Sequence, residues 1–337
     1  MAEIGAVGEF DLISRLAAVA GTPPPPEGPG DDAALVTAPG GRMLATTDLL
    51  IEGTHFRREW STAYDIGRKA AAQNLADIAA MGARPTVLLI GLGAAADFPL
   101  ADFDALAAGV RDECALAGAT LVGGDLVRAP QLVISGSALG VLDGAGPVLR
   151  SGARPGDLVG VVGRLGWAAA GLRLLESGVT AGPLVDAHRR PEPPYAAGPA
   201  LAAAGATAMC DVSDGLVSDA GHVAKASAVT IDLGSAALRA LREGGVSDDD
   251  LLHGGEDHAL LFTFPAAVAV AALPEGAVVI GAVSALSAGE APGVRIDGRA
   301  VAAGGFRHFG GADSGRGGGA DSGRGGGADS GCGGGGS

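Results

Sequence analysis

Residues 43–50, MLATTDLL, carry an apolar run onto two threonines and an aspartate, Thr46, Thr47 and Asp48. The same arrangement recurs along the chain. TLVGGDLV (120–127) runs onto Gly124 and Asp125, and ATAMCDVSDGL (206–216) onto Asp211 and Asp214. GPGDDAAL (28–35) sets Asp31 and Asp32 beside an apolar stretch, and NLADIAAMG (74–82) places Asp77 inside a helical pattern. In open α/β sheets ligands bind beyond the carboxyl ends of the strands, so this repetition predicts carboxylates gathered in one place. Two such charges about 4 Å apart repel by roughly 4 kcal/mol at an effective dielectric near 20. Bound cations or shifted protonation must relieve that repulsion. Hard oxygen ligands with hydroxyls among them suit Mg²⁺.

Taken singly, each residue has an ordinary alternative. Asp31 and Asp32 suit a turn. Thr46, Thr47 and Asp48 suit a strand end with a cap, and Asp211 and Asp214 suit the capping of a following helix. Asp77 lies between apolar neighbours, where it is either an exposed helix position or a buried carboxylate in need of a partner. Asp125 follows two glycines that let backbone approach a ligand. Glu256 and Asp257, after Gly254 and Gly255, suit either a cationic substrate group or a solvated turn. His55 in IEGTHF, just past the aspartate-bearing strand, would by itself be read as structural or exposed, as most lone histidines are. Arg150, always charged, is a candidate phosphate contact.

Around these residues the pattern alternates. Strands are expected in AALVTA (33–38), MLATTDLLI (43–51), TVLLIGLG (86–93), ATLVGGD (119–125) and LVISGSALGVL (132–142). Helices are expected over 9–20, in YDIGRKAAAQNLADIAAMGARP (64–85) with Gly82 closing it, and in DFDALAAGVRDECALAGA (102–119). LDGAGPVLRSGARPGD (142–157) reads as a boundary. Beyond it, DLVGVVG, AVVIGAVSAL and GVRIDGRAV read as strands, WAAAGLRLLESG as a helix, and LLHGGEDHALLFTFP as a loop leading into a strand. This predicts an α/β chain with mixed α+β sheets. It divides into 1–148, 149–309 and a tail, 310–337, of Gly, Ala, Asp, Ser and Arg repeats expected to be disordered.

Composition excludes several functions. The chain has 337 residues and a net charge of −15, with no basic stripe for nucleic acid. No apolar run is long enough for a membrane span, and the first residues do not form a secretory signal. The three cysteines, Cys114, Cys210 and Cys332, lack metal or disulfide spacing, so a reducing cytoplasmic setting is expected. Only Lys69 and Lys225 are lysines, and neither stands in a phosphate-loop motif. GLGAAA (91–96) is a poor dinucleotide fingerprint. GRLGWAAAGL (163–172) is either a phosphate cradle at a helix N-terminus or a tight connection.

Together GDDAAL, TTDLLIEGTHF, NLADIAAMGARP, LVGGDLVR, RSGARPGD, DVSDGLVSDAGHVAKAS and HGGEDHALLF resemble the thiamine-monophosphate kinases, a branch of the PurM-like ATP-dependent enzymes. The resemblance spans roughly residues 8–309. It implies a PurM-like two-domain fold, with an N-terminal domain binding ATP and Mg²⁺, a C-terminal α/β domain and a homodimer built through N-terminal strands. It implies transfer of the ATP γ-phosphoryl group to thiamine monophosphate by direct, in-line, Mg²⁺-assisted attack, with no side chain acting as catalytic acid or base. By motif match Asp32, Thr46, Thr47, Asp48, Asp77, Asp125, Asp211 and Asp214 would hold several Mg²⁺ ions. Asp31 and Asp32 cannot be told apart by inspection, and motif register favours Asp32. Gly124, Asp125, Arg150 and Ser213 would contact ATP, and His55, Glu256 and Phe306 the thiamine phosphate. His258 stands where the family often has an aromatic residue, and Ala303 where an aromatic substrate contact is expected. The alternatives are another PurM-like synthase acting on a ribotide, and a catalytically silent metal- or nucleotide-binding relative.

Overall fold

The computed structural model describes residues 31–38, 41–144, 146–302 and 304. The helix expected over 9–20, the stretch TPPPPEGPG (22–30), Pro39, Gly40, Phe306 and the tail 310–337 lie outside them.

The N-terminal half contains β1 (Ala34–Ala38), β2 (Gly41–Ile51), α1 (Ala63–Ala80), β3 (Arg84–Ala94), α2 (Leu100–Ala117), β4 (Thr120–Arg128) and β5 (Val133–Val141). Its sheet has the order β1-β2-β5-β3-β4. All neighbours are antiparallel except β3 and β4, which are parallel. Alternation sorts the strands into two faces. Leu44, Leu50, Leu88, Leu92, Ile134 and Ala138 point under the helices and form one core with Ile66, Leu75 and Ile78 of α1. The opposite face carries Leu49, 50% exposed, and Leu89, 37% exposed.

Helix α1 starts on a capping box, with Thr62 and Asp65 each accepting from the other's backbone N–H. Past Ala80 the chain turns at Gly82, whose φ of 76° suits glycine. Close approach of α1 to α2 depends on two glycines. A Cβ on Gly67 would overlap the Leu106 carbonyl, and one on Gly109 the Tyr64 carbonyl.

The C-terminal half contains β6 (Asp157–Val162), α3 (Trp167–Glu176), α4 (Pro183–Arg189), α5 (Ala197–Ala204), β7 (Ala208–Val212), α6 (Leu216–Ser227) and β8 (Thr230–Leu233). It continues with α7 (Ser235–Leu241), α8 (Asp248–His253), β9 (Ala259–Pro265), β10 (Val278–Ser284), β11 (Gly293–Ile296) and β12 (Arg299–Ala300). Its sheet runs β12-β11-β8-β10-β6-β9-β7 and is mixed, with β11 and β8 parallel. Val159, Val161, Cys210, Val217, Val223, Ile231 and Leu261 lie in its main core.

The two halves share buried surface. Ala80 at the end of α1 joins Val148, Leu201, Met209, Leu260 and Phe262 in a third apolar cluster. Gly198 of α5 lies against the Ala79 carbonyl, so closely that a Cβ would overlap it. Tyr195 donates its hydroxyl to Glu113 Oε1 at 2.7 Å, and Glu113 also pairs with Arg68. This polar contact is satisfied inside the seam, as burial requires.

Both sheets being largely antiparallel changes one expectation. Three of the aspartates do not sit beyond strand ends. Asp48 is followed by three further residues of β2, Asp125 lies within β4, and Asp211 lies within β7. What brings Asp48 and Asp211 together with Asp32 and Asp77 is the face each side chain occupies and the docking of the two halves.

Candidate functional site

Asp32 lies just before β1, Asp77 in the last turn of α1 and Asp211 on β7. Each offers a carboxylate oxygen, and these oxygens lie within 4.8 Å of one another. The two halves of the chain therefore meet at three acids. Asp77 Oδ2 accepts from Thr46 Oγ1 at 2.8 Å. Asp211 Oδ1 accepts from Ser213 Oγ at 3.2 Å, and its Oδ2 bonds His258 Nδ1 at 2.8 Å. Asp32 Oδ1 accepts from the Arg150 guanidinium, whereas Asp32 Oδ2 is buried with no hydrogen-bond partner. Asp31 takes a different role, accepting from the Arg150 backbone N–H at 2.6 Å.

Asp48 borders this group. Its alternation in β2 is shared with Thr46, and its backbone N–H donates to Asn74 Oδ1 at 3.0 Å. Asn74 in turn fills the space beside Gly136, where a Cβ would overlap its amide. That glycine lets α1 lie close to the sheet and brings Asp77 towards Asp48.

The electrostatics follow from packing. Burial pushes Asp32 up to about 7, with Arg150 opposing and Asp211 and Asp31 adding to the rise. Burial also lifts Asp77 well above the carboxylate range, and the charges of Asp48, Asp211 and Asp32 lift it further. Its place at the C-terminal end of a helix, the negative end of the dipole, acts in the same direction. Burial alone would lower His258, but its Asp211 bond and the charges of Asp211, Glu256 and Asp48 hold it above the ordinary histidine value.

Such a group fits a hard divalent cation. The donors are carboxylates with the Thr46 hydroxyl beside them, and the orphaned Asp32 Oδ2 lacks the partner that a buried acceptor requires.

Asp214 belongs to a neighbouring group with Asp219 and His222. Asp219 Oδ2 accepts the backbone N–H groups of Asp214 and Gly215 at 3.1 and 3.0 Å, so the capping of α6 falls to Asp219. Thr47 and Asp125 stand elsewhere. Thr47 Oγ1 donates to the Gly136 carbonyl at 2.6 Å and receives from Ser137 Oγ at 3.2 Å, on the sheet face away from α1. Asp125, exposed next to Gly124, is in register with Gly91, Ser135 and Leu49, three strands from β2. At the usual strand spacing that is about 14 Å.

Glu256 and His258 both have positive φ, 66° and 52°, which is unfavourable for residues with a Cβ. Asp257 between them explains how the loop persists. Its carboxylate accepts from Gly166 N at 2.5 Å and Ala168 N at 2.8 Å, occupying the N-terminus of α3. The GRLG turn is thus a connection whose helix end already holds an anion, and it does not cradle a phosphate. Burial raises Asp257 to about 7 despite those two bonds.

Glu256 meets residues of α1 and α4. Its Oε1 is 3.0 Å from Lys69 Nζ, and its Oε2 is 3.6 Å from His188 Nδ1. Burial would raise Glu256, but the Lys69 ammonium holds it below the ordinary glutamate range. Lys69 Nζ also donates to the His55 carbonyl at 3.1 Å. His55 Nδ1 accepts from Ile51 N at 2.9 Å, which leaves the proton of the neutral ring on Nε2.

Sequence reasoning missed Lys69, Asn74, His188 and Asp219. A lysine and an asparagine within an alanine-rich helix with few charges were the available signals for the first two. His188 and Asp219 gave none.

Residues 30–142 match the AIR synthase related protein, N-terminal domain, and residues 154–294 the AIR synthase related protein, C-terminal domain. The chain is 50% identical over 271 residues to a thiamine-monophosphate kinase of Mycobacterium tuberculosis, covering 77% of this chain and 81% of that one. It is 41% identical over 277 residues to a thiamine-monophosphate kinase of Corynebacterium glutamicum, covering 77% and 82%. Among solved structures, "AaThiL complexed with AMPPCP and TMP" superposes with a TM-score of 0.81 at 32% identity, covering 92% of this chain and 99% of that one.

Proposed function

Because the chain belongs to the AIR synthase related family, and within it to the thiamine-monophosphate kinases, we propose the following division of labour among its residues. The enzyme transfers the γ-phosphoryl group of ATP to thiamine monophosphate, giving thiamine diphosphate and ADP. The convergence of Asp32, Asp77 and Asp211 from both halves of the chain carries the assignment of the site.

Thr46, Asp48 and Asp214 complete the set that would hold Mg²⁺ beside those three, and Thr47 and Asp125 would serve from the outer sheet face. Bound Mg²⁺ would offset the negative charge of the two phosphates that must meet. Gly124, Arg150 and Ser213 face the nucleotide in this reading, and Arg150 Nε, buried without a partner, is a donor in reserve. His55, with its proton on Nε2, donates to an acceptor phosphate oxygen. Glu256 lies on the thiamine side, where an ionised carboxylate suits a cationic ring. Phe306 belongs to that side by motif.

The acceptor is itself an anionic phosphate and a competent nucleophile, so no general base is required. What the protein supplies is alignment and charge compensation. Attack on the γ-phosphorus expels ADP in one step, without a phosphorylated enzyme.

The second component is a homodimer. One face of the N-terminal sheet has no covering layer among the described residues, and it carries Leu49 and Leu89. Edge strand β4 adds Val127 to that face at 59% exposure, with Val122 and Leu126 exposed along the same edge at 55% and 66%. Unpaired edges and open apolar faces are normally covered. A second copy laid on this face would also bring one chain's Asp125 towards the other's Thr47. We place the enzyme in the cytoplasm, in keeping with the free buried thiols of Cys114 and Cys210. No helix among the described residues is long and apolar enough to cross a membrane.

A coupled ADP-release assay tests the reading. Turnover is expected with thiamine monophosphate and not with unphosphorylated thiamine or an aminoimidazole ribotide. Turnover with the ribotide in place of thiamine monophosphate would overturn it. Rapid quenching with γ-labelled ATP should yield no phosphoenzyme that goes on to product.

A further inference from the structure

Lys69 is 3% exposed, lies on α1 and bonds a segment from each half of the chain. On one side its ammonium donates to the carbonyl of His55, in the loop that follows β2. On the other it pairs with Glu256, held at positive φ in the loop before β9. It is two turns before Asp77 on the same helix, about 12 Å along the axis. The loop carrying Glu256 also carries His258, bonded to Asp211. Helix α1 and this loop are tied by Lys69 to Glu256, and they approach again where Asp77 lies near Asp211. The second approach is part of the acid cluster. The Lys69 pair has no part in it.

We propose that Lys69 is a positioning residue that sets the spacing between His55 and Glu256, and so the fit of thiamine monophosphate between the two halves. The proposal rests on the reading of those two residues as substrate contacts. Three observations support it. Lys69 is too deeply buried to be a substrate contact itself, whereas the Glu256 side chain keeps 35% of its surface exposed. With Lys69 in place, burial and then the charge of Lys69 lower His188 to about 4, so the cation that faces Glu256 is Lys69 and not the imidazole. Finally, one ammonium serves both a carbonyl and a carboxylate in different segments. Its three donors permit this, whereas the planar fork of an arginine is built for paired acceptors.

The test is steady-state kinetics on Lys69→Met, Lys69→Arg, Glu256→Gln and the double variant K69M/E256Q, with full-length enzyme and saturating Mg²⁺. Lys69→Met should raise KM for thiamine monophosphate about tenfold or more, the loss of one charge-assisted contact, with KM for ATP unmoved. The double variant should be no worse than the worse single one, because both break the same link. Should Lys69→Met fail to fold, Lys69→Arg decides, since it keeps the charge but alters the geometry. It should raise KM for thiamine monophosphate and leave KM for ATP alone. If Glu256→Gln raises KM for thiamine monophosphate while neither Lys69 variant does, the positioning role is wrong and the substrate contact stands. If Glu256→Gln leaves that KM unchanged, the substrate assignment itself is wrong, and the proposal falls with it. A parallel rise in both KM values would reduce Lys69 to general structural support.

Discussion

Arg150 and Asp32, 118 residues apart, form an ion pair in which only one carboxylate oxygen is used. The guanidinium takes Oδ1, and Oδ2 remains buried without a hydrogen bond. The pair therefore anchors the acid and leaves it one free ligand atom. At about pH 8, where Asp32 is ionised, removing the anchor by Arg150→Met breaks a buried pair, which costs about 3–5 kcal/mol. Urea denaturation in EDTA should show that loss. An unchanged midpoint would mean that the pair contributes nothing to the fold.

The acids also predict how Mg²⁺ and pH are linked. Asp32 titrates near 7 in the folded chain against an ordinary 3.8. Between those values the folded metal-free protein keeps a proton that the unfolded chain has released. Its contribution to stability is full below 3.8 and is lost as pH rises through 7. Asp77, also raised, contributes with the same sign. Mg²⁺ binds the ionised form and must displace those protons. The gain in Tm on adding Mg²⁺ should therefore be small at about pH 5.5 and grow towards about pH 8, with proton release measurable below neutrality. Other carboxylates cancel in the difference between the two conditions. A gain that does not vary with pH would separate these acids from metal binding.

Covering the outer face of the N-terminal sheet is a separate matter from chemistry on the inner one. Leu49 and Leu89 share that outer face, while Leu50 and Leu88 beside them are in the core. Leu49→Glu with Leu89→Glu should leave the monomer's core untouched and place like charges in a dimer contact. Sedimentation should show a monomer where the parent chain is a dimer. Monomeric parent protein at micromolar concentration would remove the dimer from the account.

The strands and long helices were legible as unbroken apolar or alanine-rich runs closed by glycine and proline. The expected helix over 64–85 appears as Ala63–Ala80, and the strand TVLLIGLG appears within Arg84–Ala94. Short elements were not legible. Pro183–Arg189, Ser235–Leu241 and Asp248–His253 each span about two turns, too few to repeat a helical period, and residues 251–253 fell in a stretch read as a loop. The four-residue strand Thr230–Leu233 is too short to display a period. In the site, the acids announced themselves by repetition. Their partners did not, because a Lys69–Glu256 pair 187 positions apart leaves no mark on local pattern. Nor does a local pattern tell Thr46, which turns towards Asp77, from Thr47, which turns away. That distinction needs strand register and knowledge of which face the helix covers.

Asp257 offers the clearest separation of support from binding. Its two oxygens hold Gly166 N and Ala168 N, while Glu256 and His258 on either side reach the Lys69 junction and Asp211. Both flanking residues have positive φ, so the loop relaxes unless its middle is fixed. Asp257→Ala removes a helix cap and two charge-assisted bonds, for a loss of about 1–3 kcal/mol. It should also raise KM for thiamine monophosphate, because Glu256 is no longer held in place, although Asp257 touches no substrate. Asp257→Asn keeps one acceptor oxygen and should recover part of both losses. Denaturation and kinetics on the two variants decide the point. A stability loss with unchanged KM would show that the strain at Glu256 is held by something other than the α3 cap.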